Sequence, residues 1–286
     1  MHGLVIGALA FFSLALRTAQ AESPKIVAAE NFYGDIARQI GGAGIAVVSI
    51  LTNPDQDPHE FEASASTARA LADARLVICN GAGYDPWVTK LLSASPSAKR
   101  GVVTVAALVG KKSGDNPHLW YLPATMPALA DALAAQLARF DPVHKSDYAR
   151  RLAQFQTSLK PLADKIAALR RNYAGTAVTA TEPIFGYMAA ALGLDMRHQR
   201  FQLAIMNGTE PSAGDIAAFE RDLRSRAVKV LIYNNQTSGG LTQRMRKIAE
   251  AAGVPVVGVS ETEPPGKDYQ AWMLSQLDAL DRALAR

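Results

Sequence analysis

The chain has 286 residues, 49% of them hydrophobic, 20% charged and 7% aromatic, which is the make-up of a folded globular protein and excludes a disordered, collagenous or multi-span membrane chain. Thirty basic against 26 acidic residues give a formal charge of +4, and no Lys/Arg run exceeds a doublet such as Lys111-Lys112, so a nucleic-acid role is unsupported. The single cysteine, Cys79, excludes a disulfide framework and a cysteine zinc site, and any metal must be held by histidines and carboxylates.

Residues 3–16, GLVIGALAFFSLAL, form an apolar stretch too short to span a bilayer comfortably, and Ala19-Gln20-Ala21 supplies the small-x-small pattern of a signal-peptidase site. Residues 1–21 are therefore expected to be a cleaved export signal that delivers a soluble protein to the periplasm. No cysteine stands at its end, which argues against lipid attachment to a mature N-terminal Cys.

After the leader, short β-branched runs alternate with longer helical stretches. Residues 25–29, 45–51, 75–79 and 102–106 read as buried strands, and 176–181, 228–233 and 254–259 repeat the theme. This alternation predicts parallel α/β lobes. Chemistry-bearing residues follow the strand ends, the edge at which open α/β sheets bind ligands. After 45–51 comes a polar loop, Asn53 to Glu62, that carries Pro58-His59. After 102–106 comes Asp115-Asn116-Pro117-His118, again a histidine behind a rigid proline. A single loop histidine is more often an ordinary surface residue, but two matching Pro-His loops in one lobe are not.

Between the two strand groups, Asp141-Pro142 gives an N-cap and a first-turn proline. Apolar residues then fall at Tyr148, Leu152, Phe155, Leu159, Leu162, Ile166 and Leu169, one continuous stripe. The spacing predicts a helix over 142–172, about 45 Å long, bent at Pro161. In the second lobe, Thr181-Glu182-Pro183 places a carboxylate at a strand end, and Ser260-Glu261-Thr262-Glu263 offers another. Such a glutamate often caps the next helix. Yet four strand-end loops, two per lobe, each offer a metal ligand, and two neutral imidazoles with two carboxylates total a charge of −2 that a divalent cation neutralises.

Other residues carry less. His198 and His144 read as solvated, Cys79 as core, and Trp87 and Trp120-Tyr121 as packing around the loops. Gly81-Ala82-Gly83 lacks the third glycine or Gly-Lys-Ser/Thr of a phosphate loop.

Several stretches together resemble the periplasmic substrate-binding proteins of metal-ion ABC transporters, the zinc and manganese cluster. They are Glu30-Asn31-Phe32-Tyr33-Gly34-Asp35-Ile36-Ala37, Asp57-Pro58-His59-Glu60-Phe61-Glu62, Asn80-Gly81-Ala82-Gly83-Tyr84-Asp85-Pro86-Trp87, Asn116-Pro117-His118-Leu119-Trp120, Phe185-Gly186-Tyr187 with Gly193-Leu194, and Glu210-Pro211-Ser212. The resemblance covers nearly all of the chain after the leader. It implies two α/β lobes joined by one long helix, with one metal ion held between them by two histidines from the first lobe and two ligands from the second. Two departures stand out. Glu182 occupies the place of the third histidine of zinc-binding members, which resembles the manganese-type pattern, and the family's usual aspartate is replaced by Glu261, with Glu263 its rival. Because a carboxylate binds through one oxygen or two, such a set could supply up to six donors, which suits manganese. The His- and acid-rich insertion of many zinc members is also missing before His118.

The expected organisation is thus a signal over 1–21, an N-terminal lobe over 22–140, a linker helix over 141–173 and a C-terminal lobe over 174–286. The expected function is a monomeric receptor that captures Mn2+ or Zn2+ through His59, His118, Glu182 and Glu261, delivers it to an ABC permease and catalyses nothing. Two alternatives compete. A His/His/carboxylate zinc hydrolase would need an open coordination position and a base, and there is no HExxH helix. A receptor for a larger metal chelate would need a wide cleft lined by aromatic or arginine side chains.

Overall fold

The computed structural model describes residues 25–56, 58–237 and 239–286; the leader expected over 1–21 lies outside them. The first sheet consists of β1 Lys25–Glu30, β2 Ala46–Leu51, β3 Leu76–Cys79 and β4 Gly101–Thr104, in the order β2-β1-β3-β4 and parallel throughout. The second consists of β5 Ala177–Ala180, β6 Asp195–Arg197, β7 Leu231–Asn234 and β8 Val256–Val259, in the order β6-β5-β7-β8 and again parallel. Helices α1 Asn31–Gly41, α2 Ala65–Ala72, α3 Pro86–Ala94, α4 Val105–Leu108 and α5 Thr125–Phe140 accompany the first sheet. Next come α6 Lys145–Ser158 and α7 Lys160–Tyr173, and α8 Gly186–Ala191, α9 Gln199–Met206, α10 Ala213–Arg224, α11 Gly240–Ala252 and α12 Tyr269–Leu284 belong to the second half. The protein is an α/β fold of two lobes.

The central strands are apolar because helices cover both faces of each sheet: Ile26, Val27, Leu76 and Val77 are all fully buried. The three-residue edge strand β6, Asp-Met-Arg, has no apolar run and is visible only through its pairing with β5. The expected helix over 142–172 is two α-helices that meet at Leu159. Leu159 donates to Phe155 O and accepts from the Ala163 amide, so helical bonding runs up to the junction from both sides. Pro161, in the first turn of α7, has no amide hydrogen to carry the ladder across.

The lobes share one core. Phe32 packs on Trp120 and Trp272 at ring separations of 4.8 and 5.8 Å, and Tyr121 on Phe185 and Trp272 at 5.1 and 6.2 Å. The Tyr269 hydroxyl donates to Trp120 O, and that of Tyr121 stands 2.6 Å from Gln276 Oε1 and 3.0 Å from Ser260 O. Each buried ring removes about 150–250 Å² from water, so this seam holds the strand ends of both lobes in a common frame. In both sheets the chain reverses direction of winding at the first strand, between β1 and β3 and between β5 and β7. These switch points leave crevices at the carboxyl ends of the strands.

Candidate metal centre

His118 follows α4 in an Asn-Pro-His turn whose backbone is held from both sides. Asn80, one residue past β3, donates to Pro117 O at 2.9 Å, and its own Oδ1 accepts the Tyr33 hydroxyl at 2.6 Å. Asn116 Oδ1 takes the His118 backbone amide at 3.1 Å and stands 2.6 Å from His118 Nδ1. An acceptor at Nδ1 puts the ring proton there and leaves Nε2 as a bare lone pair. That Nε2 is buried and has no hydrogen-bond partner. A buried acceptor with nothing to accept is costly, and a bound cation would satisfy it.

His118 Nε2 lies 3.5 Å from Glu261 Oε2, and His59 Nε2 lies 3.4 Å from the same oxygen. Among the described residues, His59, His118 and Glu261 form a group whose ligating atoms all fall within 4.8 Å of one another. Glu261 stands two residues past β8, buried, with its backbone amide on Gln236 Oε1 at 2.5 Å and its Oε2 accepting the Tyr84 hydroxyl at 3.0 Å. Burial opposes ionisation of Glu261, but when the two imidazoles carry their second proton their hydrogen bonds and charge outweigh it and hold the carboxyl well below the usual carboxylate range. His59, on a short 3-10 turn over Pro58–Glu60, has a side chain 31% exposed, whereas that of His118 is fully enclosed. His59 is therefore the member of the group that faces solvent.

Glu182 is buried two residues past β5 and makes no helix cap. It stands one hydrogen bond behind the three-residue group: Asn234 Nδ2 is 2.9 Å from Glu182 Oε2 and 2.7 Å from Glu261 Oε1, and Thr237 Oγ1 donates to Glu182 Oε1 at 2.6 Å. Burial pushes the Glu182 carboxyl up, against these two donors. Glu263 is not in the group. Its backbone is clamped to the first lobe, with Asn31 donating to Glu263 O at 2.8 Å and accepting its amide at 3.0 Å, and burial pushes its carboxyl up to about 9.

The remaining sequence candidates lie elsewhere. His198 is packed on Phe219 with its Nε2 3.3 Å from Asp222 Oδ2, a largely covered position rather than a solvated one. The side chain of His144 is 58% exposed beside Asp141. The Gly81-Ala82-Gly83 turn is left-handed at all three residues, and the Asp85 carboxylate takes the Asn80 and Gly81 amides at 2.6 and 2.8 Å. A fixed anion thus sits where a phosphate loop would need to receive one. Tyr84, Asn116, Asn234 and Thr237 were not singled out by spacing. The signal for Asn234 was its place at the end of the strand beside the second switch point.

Residues 26–283 match the family described as zinc-uptake complex component A, periplasmic. The chain belongs to this family. Among its relatives, the iron ABC transporter substrate-binding lipoprotein MtsA of Streptococcus pyogenes serotype M1 is 23% identical over 96% of this chain and 93% of its own length. The manganese ABC transporter substrate-binding lipoprotein PsaA of Streptococcus pneumoniae is 24% identical over 94% and 92%. Among solved structures, the periplasmic zinc binding protein TroA of Treponema pallidum superposes with a TM-score of 0.77 at 19% identity, over 92% of this chain and 100% of that one. The family is one of uptake components, and no helix among the described residues is long and apolar enough to cross a membrane.

Proposed function

We propose that this chain is the periplasmic substrate-binding component of an ABC transporter for a divalent transition metal, manganese or zinc. It binds the ion as cargo through His59, His118, Glu182 and Glu261 and passes it to a membrane permease, acting as a monomer and without turnover. The observation that carries this reading is the buried, unpartnered Nε2 of His118 beside the Glu261 carboxylate, with His59 closing the group from the solvent side. Two imidazoles from the first lobe and the Glu261 carboxylate from the second converge within 4.8 Å of one another, and Glu182 stands one hydrogen bond behind them through Asn234. A cation entering past His59 replaces the repulsion of two buried charges by attraction. A larger chelate would need room that these converging side chains occupy. A hydrolase would need a base free of the ligand set.

Protons compete with the metal for the same lone pairs. Burial raises Glu182, so on acidification it takes up a proton sooner than a free glutamate and withdraws a ligand, while the imidazoles must be neutral to bind at all. The expected result, by calorimetry on chelator-stripped protein, is one ion bound per chain at about pH 8 and a steep loss of affinity towards about pH 5. An affinity that stays flat across that range would remove the histidines from the site.

A further inference from the structure

Asn234 is the last residue of β7 and is fully buried. Its side chain can be placed only one way round, because its Oδ1 accepts the Gln236 amide at 3.1 Å. Turned over, it would point an acceptor at two carboxylates. The single NH2 group therefore spends its two hydrogens on two acids, one on Glu182 Oε2 and one on Glu261 Oε1. The other oxygen of Glu261, Oε2, accepts the Tyr84 hydroxyl at 3.0 Å and is the one turned to both imidazoles. Glu182 accepts on both oxygens, from Asn234 and from Thr237, and turning one of them fully to an ion exchanges one of these bonds for the ion. Release from Thr237, which is half-buried, costs less than leaving the donor of fully buried Asn234 unpaired.

We infer that Asn234 is a specificity-determining residue: by holding the far oxygen of each glutamate it limits the site to one donor per ligand, four in all, and favours zinc over manganese. The inference rests on the metal-receptor reading above. Glu261 Oε2 stands 3.4 and 3.5 Å from the two imidazole nitrogens, and the ligating atoms of the three-residue group all lie within 4.8 Å of one another. Four donors complete a zinc site, but they leave manganese short of the six oxygen-rich contacts it prefers.

The test is calorimetry of wild type and Asn234→Ala with zinc alone and with manganese alone. Freed carboxylates can chelate through both oxygens, so the zinc-to-manganese affinity ratio is expected to fall about tenfold or more in the variant. X-ray absorption should show a higher coordination number for its bound manganese. Asn234→Ser, too short to span both acids, carries the same expectation should the alanine variant not fold. Wild type binding both metals with a ratio unmoved in the folded variant would overturn the role of Asn234 and leave the receptor reading standing. Wild type binding neither metal would overturn both.

Discussion

His118→Ala is expected to weaken divalent-metal binding about 100-fold or more, since it removes one of the four proposed ligands and the one whose donor atom is most enclosed. The fold should survive. The turn that carries residue 118 is held through backbone groups, by Asn80 on Pro117 O and by Asn116 on the residue 118 amide. Asn116 also keeps its bond across the cleft to Pro183 O at 2.7 Å. Calorimetry, paired with a thermal melt of the metal-free protein, separates loss of a ligand from loss of structure. Wild-type affinity in a folded His118→Ala protein would take this residue out of the site.

The second large effect is a contrast between neighbours. Glu261→Gln removes the charge on which both imidazoles converge, and it should cost about 100-fold in affinity. Glu263→Gln should leave affinity within about threefold, because residue 263 touches the first lobe through its backbone and its carboxyl lies outside the ligand group. Equal losses in the two variants, or a loss confined to Glu263→Gln, would show that the fourth ligand has been assigned to the wrong side of Thr262.

Most of the architecture is legible in the sequence because buried parallel strands leave an unbroken apolar run. Seven of the eight strands among the described residues announce themselves in this way, within a few residues at their ends. β6 does not, since an edge strand of three residues, two of them charged, has little apolar surface to bury. The stripe from Tyr148 to Leu169 marks the connecting helix, but Pro161 divides it in two. His59, His118 and Glu261 are readable because a strand end followed by a polar loop is a place as well as a composition. The number of donors is not readable. Counting carboxylates in the sequence gives up to six oxygens and nitrogens, whereas the hydrogen bonds from Asn234 and Thr237 decide how many of those atoms face an ion. An asparagine that acts by donating to two acids has no spacing signature, and its partners lie 52 and 27 residues away.

The central claim is that imidazoles from one lobe and carboxylates from the other hold a single ion. X-ray absorption at the metal edge of the zinc-loaded protein tests it most directly. The account predicts a first shell of nitrogen and oxygen at about 2.0–2.1 Å, the outer-shell scattering of two imidazole rings, and no sulfur. A shell of oxygen alone, with no imidazole signature, would contradict it.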